Sequence, residues 1–107
     1  MKRVASVIGL PDANRAAYEA YHSKVWPGVL ERLAASHVHN YSIYRFGELL
    51  FSYYEYTGDD FEADQAAIAA DETTKQWWAV QEPLQHPLAT RADGEWWQEL
   101  PEVFHTD

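Results

Sequence analysis

The segment Leu49–Thr57 carries large apolar or aromatic side chains on both of its faces. Successive side chains of an extended chain point to opposite sides. Leu49, Phe51 and Tyr53 therefore share one side, and Leu50, Tyr54 and Tyr56 the other. Val4–Leu10 behaves alike, with Val4 and Ile8 opposed to Ala5 and Val7. Strands of this kind belong to a sheet buried on both faces. Helices can cover one face. In 107 residues nothing obvious remains for the second except a partner sheet or a ligand. The pattern predicts a homodimer whose two sheets face each other.

The punctuation along the chain orders the elements. After the strand Val4–Leu10, Pro11-Asp12 starts a helix over about residues 13–24, with Asp12 as its cap. Pro27 disfavours helix at Trp26 and suits the first turn of a second helical piece, about 27–36, with Val29, Leu30 and Leu33 as its stripe. Strands over 37–46 and 49–57 form a hairpin across Gly47-Glu48. Gly58-Asp59-Asp60 breaks the second of these and caps a helix over about 61–70; Asp71 caps another that runs through Val80. Pro83 and Pro87 open an irregular segment, residues 96–99 fit no single class, and 102–106 reads as a short last strand. The order strand, helix, strand, strand, helix, strand is the split βαβ plan. The expected fold is α+β: one ferredoxin-like βαββαβ domain over residues 1–107, paired as a dimeric α+β barrel.

Charge and composition narrow the function. Eight Lys and Arg against 17 Asp and Glu give a net charge of −9. Phosphate binding needs clustered cations, so nucleic acid and anionic membrane surfaces are poor partners. With no Cys, thiol nucleophiles, disulfides and zinc-thiolate sites are excluded. No apolar run approaches the ~18 residues of a membrane span. The start, Met1-Lys2-Arg3-Val4 to Leu10, lacks a small-residue cleavage site, and a cytoplasmic protein is expected. Aromatics reach 15%, with five Trp and seven Tyr. A small core has few places for that many rings, so some should line a ligand site or an interface.

Four clusters could carry chemistry. Tyr18, His22 and Trp26 fall at i, i+4 and i+8, which puts Tyr18 and His22 on one helix face. A histidine beside a phenol and an indole suits acid–base work in a sugar pocket, and equally suits plain packing against the sheet. In a regular strand His37, His39 and Tyr41 share a face, with Asn40 and Tyr44 on the other. Histidines at i and i+2 can bind metal, but no carboxylate accompanies them on that segment, so a polar hydrogen-bonding strand is the simpler reading. Trp77-Trp78 cannot both face a core squarely; one should pack and the other reach a cavity or an interface. Trp96-Trp97 poses the same question. The acidic run Asp59, Asp60, Glu62 and Asp64 lacks the glycine and glutamate of a calcium loop and reads as a helix start.

Taken together, Tyr18-x-x-x-His22-x-x-x-Trp26-Pro27, Ser36-His37-x-His39-Asn40-Tyr41-x-Ile43-Tyr44, Trp77-Trp78 and Glu102-x-Phe104 resemble the L-rhamnose mutarotase family. The resemblance runs through essentially the whole chain. It implies a homodimer that interconverts the α and β anomers of a 6-deoxy-L-hexose, with no metal or organic cofactor. By position, His22 corresponds to the family's catalytic acid, and Tyr18, Tyr41, Trp77 and Trp78 to its sugar-binding residues. His22 is then expected to protonate the ring oxygen. Tyr18, Tyr41 or water handles the anomeric proton. L-Rhamnose is the first choice of substrate. The tyrosine-rich strand 51–56, the stretch 58–64 and the segment 83–99 depart from the rhamnose pattern and bring L-fucose in beside it. The same barrel also hosts haem-type and quinone-forming monooxygenases, and a non-catalytic sugar-binding module would keep the same aromatic pocket.

Overall fold

The computed structural model describes residues 1–107. Four strands, β1 (Lys2–Gly9), β2 (Val38–Phe46), β3 (Leu49–Tyr56) and β4 (Gln98–Leu100), form one sheet in the order β2-β3-β1-β4. Each neighbouring pair is antiparallel. A 3-10 turn (Asp12–Asn14), α1 (Arg15–His22) and α2 (Pro27–Ala35) join β1 to β2. Helices α3 (Phe61–Ala70) and α4 (Glu72–Gln81), with a second 3-10 turn (Glu82–Leu84), join β3 to β4. This is the expected βαββαβ plan, with each crossover broken into two helices. None of the helices is long and apolar enough to cross a membrane.

Local chemistry sets the breaks. Trp26 is extended at φ −60° and ψ 133°, as a residue before proline must be, and Pro27 opens α2. Asp60 accepts from the Ala63 amide at 3.1 Å and starts α3. Asp71 accepts from the amide and the hydroxyl of Thr74 at 3.0 and 2.8 Å, which ends α3 and starts α4. Such caps are worth about 1 kcal/mol each. Gly47 has φ +57° at the first of the two hairpin-loop positions, where a side chain would be strained.

Two expected features are corrected. Asp12 caps nothing with its side chain: it sits inside the 3-10 turn, gives its N–H to Glu48 Oε2 at 2.9 Å and pairs with Arg15 at 3.3 Å. The last strand is residues 98–100, not 102–106. Pro101 has no N–H to donate and ends the ladder, and Val103 and Phe104 beyond it are exposed.

The sheet has two unlike faces. By register, Val4, Ser6, Ile8, Leu50, Ser52 and Tyr56 share one face, and all six are buried beneath the helices. Ile8, Leu10, Tyr18 and Leu50 form the central cluster, with Ile43, Leu84 and Trp97 packed against it. On the opposite face Ala5, Phe51 and Tyr53 are half-buried, while Tyr44 and Phe46 are 67% and 77% exposed. Only Val7 is a fully buried side chain there among β1–β3.

Candidate active site

Helix α1 brings Tyr18 and His22 one turn apart on its buried side. Their rings stack at 4.1 Å with 25° between planes. His22 Nδ1 lies 2.8 Å from the Tyr18 carbonyl oxygen. A carbonyl only accepts, so Nδ1 carries the hydrogen and donates it. In the neutral imidazole Nε2 is then the free, basic nitrogen. Desolvation lowers the His22 pKa below its ordinary value of 6.5, and the carbonyl bond opposes this more weakly.

The tryptophan pair divides as its spacing demands. Trp77 is buried and stands edge-on to His22 at 5.2 Å, to Trp26 at 5.1 Å and to Tyr21 at 6.2 Å. Trp78, the next residue on α4, is 39% exposed and joins no ring pair. Two rings thus flank the imidazole, Tyr18 on its face and Trp77 at its edge, with Trp26 behind Trp77.

Tyr41 reaches the same side by a backbone irregularity. His39 pairs with Glu55 and Ser42 with Tyr53, so Asn40 and Tyr41 together oppose Tyr54 alone. This is a β-bulge, with Asn40 at φ 49°. Asparagine tolerates that conformation, and its amide donates to Glu55 at 2.6 Å. The extra residue reverses the alternation. His39 stays on the uncovered face opposite Glu55, and the Tyr41 ring lies 5.4 Å from Tyr54 on the helix side. The expectation that His37, His39 and Tyr41 share a face therefore fails, because it assumed an unbroken strand. His37, at φ 64°, lies just before β2 and pairs with Asp64 at 3.2 Å, away from His39.

The hydroxyls of Tyr18, Tyr41 and Tyr54 are all held protonated by desolvation, with Tyr41 and Tyr54 pushed up to about 12 and Tyr18 higher. Tyr41 keeps 42% of its surface exposed although its hydroxyl is desolvated. Its charge would be felt at both Tyr18 and Tyr54, which joins the three phenols into one region.

Sequence reasoning passed over Gln81 and Gln85 here and left the role of Trp96 open. Tyr18 Oη accepts from Gln85 Nε2 at 3.3 Å, and Gln85 Oε1 accepts from the Trp96 indole at 2.8 Å. Gln81, one turn beyond Trp77, is 3% exposed with both amide atoms unpartnered. An orphaned buried amide costs about 1–3 kcal/mol, so Gln81 is suited to meet a bound hydroxyl or water. Gln85 and Trp96 lie in irregular chain, where no periodicity announces a facing residue. Gln81 could have been read from its i+4 spacing after Trp77. A surface groove of about 770 Å³ lies elsewhere, lined by Arg3, Ala5, Tyr53, Leu100 and Glu102 among others. It contains none of the cluster around His22.

A family model described as L-rhamnose mutarotase matches residues 3–106. The chain belongs to the L-rhamnose mutarotase family. The L-rhamnose mutarotase of Bacillus subtilis is 32% identical over 110 residues that span all of both chains. That of Ligilactobacillus salivarius is 36% identical over 84% of this chain and 83% of its own. That of Listeria monocytogenes is 34% identical over 78% and 80%. Mutarotases are isomerases of the racemase and epimerase class, and family membership places this chain in it. The crystal structure of an L-rhamnose mutarotase from Formosa agariphila superposes over the full length of both chains with a TM-score of 0.77 at 23% identity. Tetracenomycin F2 cyclase of Streptomyces glaucescens superposes over 99% of this chain and 96% of its own, at 0.67 and 18%. At those identities the likeness is one of fold, the dimeric α+β barrel, on which unrelated chemistries occur.

Proposed function

We propose that the chain interconverts the α and β anomers of L-rhamnose, with His22 as the proton carrier. The observation that carries this reading is the His22 imidazole: its Nδ1 is tied to the Tyr18 carbonyl and its Nε2 is free. Aromatic rings pack on two sides of it.

Ring opening breaks the bond between the anomeric carbon and the ring oxygen. The electron pair leaves with the ring oxygen, which gains a proton, and the anomeric hydroxyl loses one as it becomes the aldehyde. Both oxygens sit on the same carbon, so one nitrogen can serve both. Neutral His22 takes the anomeric proton at Nε2, and the imidazolium protonates the ring oxygen. The low pKa of His22 makes that imidazolium a stronger acid than an ordinary histidine. Rotation of the open-chain aldehyde and closure on its other face reverse the two transfers. No net charge accumulates, and the protein begins and ends in the same state. Positioned groups of this kind contribute typically ~10²–10⁴-fold.

Tyr18, Tyr41, Trp77 and Trp78 are assigned to sugar binding. The phenols stay protonated and offer hydrogen bonds to hydroxyls, and Trp77 and Trp78 offer apolar walls. A deoxy-sugar methyl is at ease on such a wall, whereas the hydroxymethyl of an ordinary hexose needs a polar partner there. The uncovered sheet face, with Tyr44, Phe46 and Phe51, is assigned to a second copy of the chain.

Saturation-transfer proton NMR tests the reaction. Irradiating one anomeric proton of L-rhamnose should transfer saturation to the other faster with protein than without. L-Fucose, measured in parallel, decides which 6-deoxy-L-hexose exchanges faster. His22→Ala should abolish the acceleration while retaining sugar binding. An unchanged rate in that variant would refute the assignment.

A further inference from the structure

We propose that Gln85 and Trp96 act as a positioning pair that turns the Tyr18 hydroxyl into a hydrogen-bond donor toward the bound sugar. The proposal rests on the assignment of Tyr18 to sugar binding.

The argument runs through donor and acceptor capacity. The Trp96 indole N–H can only donate. It lies 2.8 Å from one end of the Gln85 amide, so that end is the oxygen. The other end, 3.3 Å from Tyr18 Oη, is therefore the NH₂, which also can only donate. Tyr18 Oη must accept, and its own hydrogen is directed elsewhere. Burial raises the pKa of the phenol, so that hydrogen is present at neutral pH. Without Trp96 the amide could turn over and capture the hydrogen. With Trp96 only one arrangement satisfies all three groups.

The pair is rigidly mounted. The Gln85 backbone N–H donates to the Glu82 carbonyl at 3.1 Å. Its neighbour His86 exchanges two backbone bonds with Gly9, at 2.8 and 2.9 Å. A Cβ on Gly9 would fall 2.5 Å from the His86 oxygen, so only glycine permits this approach. The segment between Pro83 and Pro87 is thereby clamped to the end of β1. Trp96 stands two residues before β4. The relay ties α1 to the irregular connection between α4 and β4.

Gln85→Glu is the sharpest probe. A carboxylate still accepts the indole hydrogen but also accepts the Tyr18 hydrogen, which reverses the phenol. Expected is a loss of about 10-fold or more in catalysed anomer exchange, the size of one misdirected hydrogen bond. Gln85→Met should cost less, since it releases the phenol without capturing it, and Trp96→Phe should fall between the two, since the freed amide captures the hydrogen only part of the time. In a Tyr18→Phe background all three penalties should vanish. A merely structural role would leave them additive, and additivity overturns the proposal. A second readout needs no activity: the Tyr18 Cζ resonance in ¹³C-tyrosine protein, assigned with Tyr18→Phe, should move in Gln85→Glu and in Trp96→Phe. An unmoved resonance overturns the relay even if exchange falls. If the unaltered protein exchanges neither sugar, the mutarotase reading fails, and the Cζ shift still decides whether the relay exists. Should Gln85→Glu not fold, the other two variants carry both readouts.

Discussion

His22 shows how one backbone contact can define a residue's chemistry. The Tyr18 carbonyl is one turn back on the same helix, and at 2.8 Å it commits Nδ1 to donation. Nε2 is left for a substrate. The rings of Tyr18 and Trp77 keep water from the imidazole, so the charged form is disfavoured and the pKa lies below 6.5. A pH dependence follows. Above 6.5 His22 is neutral in both the folded and the unfolded chain, and nothing is lost. As pH falls below 6.5 the unfolded chain takes up the proton first, so stability declines until the folded value is passed. The His22 Cε1 proton should titrate by NMR below 6.5. Catalysed exchange should stay level above 6.5 and fall only as pH drops through that lower midpoint. A midpoint above 6.5 would contradict the burial argument.

At the scale of the element, the bulge in β2 does the most. A regular strand would put Tyr41 beside His39, on the face that the helices leave uncovered. One extra residue sends it to Tyr54 instead. Asn40 makes this possible by accepting φ 49° and bonding to Glu55. Asn40→Gly loses the side-chain bond but keeps the conformation, and should retain most of the exchange rate. Asn40→Val is strained there by about 1–3 kcal/mol and should lower both the thermal midpoint and sugar affinity. Calorimetry and ligand titration check the pair; equal behaviour of the two variants would remove the bulge from the account. Turns with named chemistry were easier to see. Asp60, Asp71, Pro27 and Gly47 were all legible because each acts on its immediate neighbours.

At the scale of the molecule, the uncovered face governs assembly. Tyr44 and Phe46 are mostly exposed, and the groove of about 770 Å³ runs past Tyr53 and Leu100 toward the tail. The tail is held there by the Arg3–Glu102 ion pair at 2.8 Å, with Val103 and Phe104 exposed beyond it. A second copy laid on this face would cover these rings, and a stable dimer needs roughly 800 Å² from each partner. Sedimentation should show a dimer for the unaltered chain. Tyr44→Asp with Phe46→Asp should shift it to monomer while the far-UV spectrum is kept. A monomer without substitution would remove the dimer from the proposal.

The amino-acid sequence by itself determined what depends on neighbours along the chain: strand alternation, caps, proline breaks, and the pairing of Tyr18 with His22 across one helical turn. These are short-range effects of sterics and local hydrogen bonds, and they were enough to order the βαββαβ plan. The tertiary structure alone decided what depends on meetings across the fold. It turned Tyr41 to the helix side, packed Trp77 on His22 while leaving Trp78 partly exposed, and brought Gln85 and Trp96 to Tyr18. It also chose residues 98–100 as the strand that pairs with β1. Those outcomes come from register, burial and donor–acceptor pairing between segments far apart in sequence, where no local pattern carries the information.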